Sequence, residues 1–374
     1  MPLLTDDQKM LRETASSFLA EEGSIAKQLR QWRDTGCTDG YGTDLWKQFA
    51  ELGLTGICIP EEQGGLGLGA VEAALVLQEV GRNLTPSPFL TTAVVGAKAI
   101  AGTAHADRWY PGILSGEAVL TLAVDESRRH APEQTALTAE RRGNGFVLNG
   151  TKQFVIQGNS ADVVLTLART AGSPGEEAGL TLFAVPKGAA EIESVTLADS
   201  SKAARLTFGN VELDADAVVG DVDNGWAPVS RALNAGRAGA AAELVGVAAG
   251  ASAMTVDYLK QRKQFGKLIG EFQSLQHRAA HLYGEIEIAR ACALKAAELI
   301  DSGDAKAELM VAVAKAKAAD VASLSVREGV QMHGGIGMTD EHDIGFFLKR
   351  ARACEMTFGD AAFHRDRFAA LSEF

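Results

Sequence analysis

The sequence predicts a mainly α protein with a central β domain. Three observations carry this. Apolar residues recur at helical spacing from Asp6 to about Ala101, give way to short apolar and β-branched runs between about Ala118 and Val222, and return to helical spacing in long alanine-rich stretches after Trp226. The expected divisions are an N-terminal helical domain over residues 1–117, a central antiparallel β domain over 118–223 and a C-terminal helical bundle over 224–374.

In the first segment Leu11, Ala15, Phe18 and Leu19, then Leu45, Phe49 and Leu52, repeat at the three-to-four residue interval of a helix face. The run from Ile59 to Gly67 holds Pro60 and three glycines, so it reads as a loop before a second apolar helix through Glu79. In the middle, Val119–Leu122, Gly145–Leu148, Val163–Leu165 and Leu180–Phe183 are strand-length runs parted by turn residues. The stretch from Gly172 to Glu177 has the composition of a surface hairpin or loop. Three long helices follow, to Gln261, from Phe272 to Ser302 and from Ala305 to His333, and their many alanines let helices approach closely.

Of 374 residues, 46% are hydrophobic and 22% charged, which gives the chain enough apolar material for a large core and excludes a disordered class. Lys and Arg total 36 against 48 Asp and Glu, a net charge of −12, so nucleic acid is not an expected partner. From Met1 to Glu21 charges such as Asp6, Asp7, Lys9, Arg12 and Glu13 take the place of a basic start followed by an unbroken apolar stretch, unlike a signal peptide. The alanine-rich stretch from Ala240 to Met254 contains Glu243 and is too short to cross a bilayer. A cytoplasmic protein with no membrane partner is therefore expected. Cys37, Cys58, Cys292 and Cys354 are far apart without a CxxC pair, which fits buried free thiols and predicts no metal site.

Two motifs carry chemistry. Arg262-Lys263-Gln264-Phe265-Gly266 closes a long helix and sets a guanidinium beside loop amides, a grip suited to an anion such as pyrophosphate; a plain basic helix end is the alternative. Gln331-Met332-His333-Gly334-Gly335-Ile336-Gly337 closes another helix, and its glycines would let backbone approach a ligand or simply stop the helix. His333 and His364 are read as structural or surface histidines.

Together with Pro60–Gly67 and Leu148-Asn149-Gly150-Thr151-Lys152, these two runs resemble the acyl-CoA dehydrogenase family in identity, order and spacing over essentially the whole chain. The resemblance implies an N-terminal helical domain, a β barrel or sandwich, and a C-terminal four-helix bundle. It further implies FAD bound at a subunit interface of a tetramer built as a dimer of dimers. Carried over by position, Arg262, Gln264, Phe265 and Gln273 would hold the ADP part of an FAD bound in the neighbouring subunit, and Gln331, Gly334 and Gly335 its adenosine side.

The other half of the family pattern is altered. The flavin-facing Thr-Glu-Pro-x-x-Gly-Ser-Asp segment aligns with Val124–Ala131, where the Gly-Ser-Asp turn is gone. The Lys-x-Trp-Ile-Thr strand reads Lys152-Gln153-Phe154-Val155-Ile156, so Ile156 replaces a hydroxyl. At the two positions where the family carries its base, the chain has Phe358 and Gly236, and neither can accept a proton. Asp360 and Glu355 are the nearest carboxylates, and a helix-capping or surface role is the reading preferred for them.

The retained residues act toward a neighbour and the lost ones act within the chain. The expected role is thus a non-catalytic subunit of an FAD-dependent acyl-CoA dehydrogenase, acting with a catalytic partner chain on an acyl-CoA, with a bulky steroid-like acyl group as one candidate and an electron-transfer flavoprotein as oxidant. A homotetrameric dehydrogenase with a displaced base, a flavin-dependent monooxygenase or oxidase on the same fold, and a flavin-free structural subunit are the alternatives.

Overall fold

The computed structural model describes residues 4–374. Helix α1 (Asp6–Glu21) starts at a reciprocal cap in which Thr5 Oγ1 accepts from the Gln8 amide at 3.2 Å and Gln8 Oε1 accepts from the Thr5 amide at 3.0 Å. Helices α2 (Thr43–Glu51), α3 (Ala70–Asn83) and α4 (Ala104–Leu114) follow. The loop read at Ile59–Gly67 precedes α3, whose first two amides, Ala70 and Val71, donate to the Asp301 carboxylate at 2.7 and 3.0 Å.

The middle of the chain forms β1 (Leu120–Ala123), β2 (Thr138–Arg142), β3 (Gly145–Ile156), β4 (Val163–Arg169), β5 (Leu180–Pro186), β6 (Glu191–Thr196), β7 (Lys202–Leu213) and β8 (Val218–Val219). Their order in the sheet is β6-β7-β3-β2-β4-β5-β8, with β1 beside β4. Most pairs are antiparallel as expected, but β1 runs parallel to β4, with Leu120 opposite Val163 and Ala123 opposite Thr166. The chain passes through the β2–β3 hairpin before β4, so β4 comes back in the direction of β1. Every residue of β4 is buried while every residue of β6 is exposed, which separates centre from edge. Gly172–Glu177 is a surface turn between β4 and β5, as its composition indicated.

Helix α5 (Trp226–Gln261) leads into a small hairpin of β9 (Lys263–Gln264) and β10 (Lys267–Leu268), then α6 (Gln273–Asp301), α7 (Ala307–His333), α8 (Ile344–Met356) and α9 (Ala361–Leu371). The chain packs as two compact units, one of residues up to 31, 70–86 and 237–374, the other of 32–69 and 87–236. The first is an alanine-rich bundle with Ala241, Ala248, Ala289, Ala293, Ala314 and Ala322 at its core. Helix α5 is longer than the alanine-rich stretch read from the sequence, and by length and apolarity alone it could cross a bilayer. Yet 72% of its most apolar window is buried inside the protein, so the apolar residues serve the core. The four cysteines are free thiols, Cys58 and Cys354 buried and Cys37 and Cys292 half-buried.

Helices α3 and α5 touch backbone to backbone. A Cβ at Gly246 would lie 2.0 Å from the Gln78 carbonyl oxygen, and one at Gly81 would lie 2.1 Å from that of Glu243. Beside this crossing, Glu243, 1% exposed, pairs with Arg350 of α8, whose Nε lies 2.8 Å from its carboxylate. Replacing Gly246 by Ala is expected to destabilise the chain by about 1–3 kcal/mol or more through overpacking. Gly209→Ala, where nothing lies within 4 Å, should be close to neutral in the same chemical-denaturation measurement.

Candidate functional site

A small apolar cluster brings the two motif-bearing helix ends together. Leu259 of α5, Leu282 of α6 and Met332 of α7 are buried against one another with Ile269, Leu275 and Leu324 packed on them. Leu259 lies just before Arg262, Leu275 just after Gln273, and Met332 directly after Gln331, so their burial places all three polar residues at one end of the bundle. The Arg262 amide still donates to Tyr258 O and its carbonyl accepts from Ile269 N, both at 2.9 Å. Between these anchors β9 and β10 form a tight hairpin, turned by Phe265 and Gly266 with φ of 54° and 79°.

This end is open. Arg262, Gln264, Phe265, Gln273, Gln331, Gly334 and Gly335 are all exposed, Phe265 at 91%. The side chains of Arg262, Gln273 and Gln331 have no hydrogen-bond partner among the described residues, while Gln264 Nε2 donates to Lys263 O at 2.8 Å. Gly334 leaves α7 with φ of 65°, and a Cβ at Gly334 or Gly335 would meet nothing within 4 Å. A free guanidinium, free amides and unobstructed glycine backbone suit a diphosphate-bearing group.

The turn at Phe358 and Gly359 is held by hydrogen bonds to its backbone carbonyls. Phe358 is buried with φ of 55°, a costly conformation for a side chain of this size. Three nitrogen groups hold it there. The Phe358 carbonyl accepts from His364 Nε2 at 3.2 Å and Arg237 Nε at 3.4 Å, and fully buried Lys315 donates from Nζ to the carbonyls of Glu355 at 2.9 Å and Gly359 at 3.0 Å. Burial pushes the Lys315 ammonium down to about 8, against the pull of Cys354 and Glu355. A Cβ on Gly359 would lie 2.4 Å from a Phe363 ring carbon, which fixes glycine there.

Both neighbouring carboxylates are engaged in structure. Asp360 is the N-cap of α9, accepting the Phe363 amide at 2.8 Å, and Glu355 pairs with Arg352 one turn back at 2.9 Å. The helix-cap reading of Asp360 therefore holds in the structure. His364 and His333 are buried and bonded to backbone carbonyls, so neither is a surface residue.

In the Val124–Ala131 segment the carboxylates are satisfied within the chain. Asp125 binds His130 Nδ1 at 2.9 Å and the Ala131 amide at 3.2 Å. Glu126 takes the Ala136 and Leu137 amides at 2.9 and 3.0 Å and the Lys152 ammonium at 2.7 Å. Lys152 is fully buried, and burial lowers its pKa against the opposing pull of Glu126. Gln153 closes the segment from the strand side, its amide donating to Asp125 O at 2.7 Å. The Asp125, Glu126 and Lys152 side chains are thus committed within the chain, and Ile156 offers no polar group.

Three further residues stand out in the structure that the sequence did not single out for a role. Phe154 is 54% exposed with φ of 52° at an irregularity in β3, an aromatic held out on strained backbone. Arg237 and Lys315 bolt the Phe358 turn; a lysine inside an alanine-rich helix was the only available signal for the second.

Lys315 gives a pH prediction. Its folded pKa of about 8 lies below the unfolded value of 10.5, so between these the unfolded chain binds more protons and stability rises with pH on this group's account. In Lys315→Met that rise should vanish, whatever the offset from unpairing two carbonyls; denaturation midpoints across this window check it.

Comparison with known proteins matches the three parts of the chain to the acyl-CoA dehydrogenase N-terminal domain over residues 5–117, middle domain over 126–215 and C-terminal domain over 223–371. The chain is 30% identical to cyclohex-1-ene-1-carbonyl-CoA dehydrogenase of Geobacter metallireducens, with 96% of each chain covered. Among solved structures it resembles a variant of the Tcur3481-Tcur3483 steroid ACAD, at 30% identity, TM-score 0.88 and 98% of each chain. It also resembles butyryl-CoA dehydrogenase of Megasphaera elsdenii, at 25% identity, TM-score 0.91, and 100% of this chain against 99% of that one. The helical, β and helical parts, and the motif residues at the bundle end, belong to one family: this chain is a member of the acyl-CoA dehydrogenase family, whose members bind FAD.

Proposed function

We propose that this chain is the non-catalytic subunit of a heteromeric FAD-dependent acyl-CoA dehydrogenase and supplies the ADP-binding half of the FAD site to a catalytic partner chain. The observation that carries this is the split between two regions. The side chains of Arg262, Gln273 and Gln331 are exposed and uncommitted, whereas the Asp125 and Glu126 carboxylates are bound within the chain and buried Phe358 stands where the family resemblance implies a base. A donor set of this kind fits the diphosphate and adenosine of FAD bound mainly by a partner. It does not fit a flavin ring held by this chain's own β domain.

When bound, FAD supplies a two-electron acceptor for α,β-dehydrogenation of an acyl-CoA. This chain's contribution is binding and orientation. Arg262 offers a planar fork to phosphate oxygens, Gln273 and Gln331 offer amide donors and acceptors, and Gly334 and Gly335 admit close approach. Phe265, at the tip of the hairpin, offers an apolar face. No proton is moved by Phe358, so the base must come from the partner. The resemblance to a steroid ACAD whose name joins two components supports a bulky, steroid-like acyl group as the substrate and a two-chain assembly, for which a dimer of dimers is the proposed arrangement. An electron-transfer flavoprotein is the proposed oxidant.

The chain expressed alone should purify nearly free of flavin and acquire it only on co-expression with a catalytic dehydrogenase chain; absorbance at the flavin bands measures both. A flavin per chain in the isolated protein would overturn the proposal. In the two-chain complex, Arg262→Ala should weaken FAD retention by about 2–3 kcal/mol, the range for a charge-assisted hydrogen-bonded group in a desolvated site, which equilibrium dialysis reads directly. Unchanged retention would exclude Arg262 from the site.

A further inference from the structure

His333 ends α7 and is 3% exposed. Its Nδ1 lies 2.7 Å from the Gly329 carbonyl, which can only accept, so Nδ1 carries the proton and Nε2 the lone pair of the neutral ring. That Nε2 is buried with no hydrogen-bond partner among the described residues. The ring lies 4.4 Å, centroid to centroid, from Tyr258 and also from His342. Tyr258 and His342 in turn line a cavity of about 700 Å³ that brings solvent to the outer side of the cluster.

These three rings join the segments that carry the open donors. Tyr258 is one turn before Arg262 and accepts its amide hydrogen bond; His333 lies between Gln331 and Gly334; His342 follows the Gly334–Met338 turn. We propose that the Tyr258–His333–His342 cluster is an acid-sensitive clasp that holds the Arg262 and Gln331 segments in register, and that protonation of His333 opens it.

Protonation places an N–H with no acceptor inside the stack, beside a second imidazole. Burial holds His333 below its usual 6.5, and His342 acts in the same direction, so the clasp is closed at neutral pH. Other charged groups around the cavity do not offset the new charge. Asp343 is held by Arg30 at 2.7 Å, Arg82 lies 3.7 Å from Glu79, and Asp257, on α5, is exposed to solvent. The turn that would be released contains Gly334 and Gly335, with nothing packed where a Cβ would be. Opening of the clasp is independent of any cofactor; that it loosens an ADP grip rests on the function proposed above.

The test is hydrogen exchange on the full-length chain, corrected for intrinsic rates, from pH about 7.5 to about 5, comparing peptides over 331–343 with β4–β5 peptides as the internal reference. Wild type should lose protection in 331–343 alone, with a midpoint below 6.5. His333→Phe keeps a ring without a titrating nitrogen and should stay protected throughout. His342→Phe removes the second imidazole and should move the midpoint upward, so the proposal stands or falls even if His333→Phe does not fold. Constant protection in wild type, an unshifted midpoint in His342→Phe, or wild-type opening in His333→Phe would each overturn the clasp. FAD retention in the two-chain complex over the same range separates the readings. Opening without flavin loss counts against the ADP grip and leaves the clasp intact.

Discussion

The bundle depends on one close approach. At Gly81 and Gly246 the backbones of α3 and α5 are in contact, and any side chain there would overlap a carbonyl oxygen. These contacts pin the middle of α5 against α3, and buried Glu243 pairs with Arg350 of α8 beside them. From one part of α5, Arg237 reaches the Phe358 carbonyl; from its other end, Leu259 sets the take-off of Arg262. One helix therefore contacts both the Phe358 turn and the cluster from which the exposed donors project.

The two regions differ in how completely their polar groups are satisfied. Around Phe358 nearly every donor has a backbone carbonyl: His364, Arg237 and Lys315 each hold one or two, although Phe358 itself sits in an unfavourable conformation. Such a turn is preorganised, and only the chemistry of its side chain is unsuited to proton transfer. At the bundle end the reverse holds. An apolar cluster supplies the order, and Arg262, Gln273 and Gln331 project from it uncommitted. Order without satisfaction is what a surface awaiting a ligand or a partner presents.

Much of this was legible in the sequence because it rests on periodicity and local chemistry. The helical, β and helical order followed from apolar spacing, and the Arg262 and Gln331 runs marked helix ends with anion-binding composition. Asp360 was correctly weighed as a cap because an acidic residue before an apolar helix has that role more often than a catalytic one. The parallel β1–β4 pair was not legible, since pairing direction depends on a long-range return of the chain. Nor was the self-satisfied Asp125–Lys152 network, because alignment on a family motif assigns positions and says nothing of which side chains bind one another. Lys315 and Phe154 were missed for the same reason: their significance lies in burial and backbone strain, which composition does not encode.

The central claim is that this chain gives half of a cofactor site and holds no complete one. Counting flavin against both polypeptides in the purified two-chain complex tests it most directly, by combining absorbance with quantitative amino-acid analysis. The account predicts one FAD for each pair of chains, because only the catalytic chain's β domain holds the flavin ring. One FAD for every chain would contradict it, since this chain's own β domain would then be binding a flavin although its Asp125 and Glu126 carboxylates are committed within the chain.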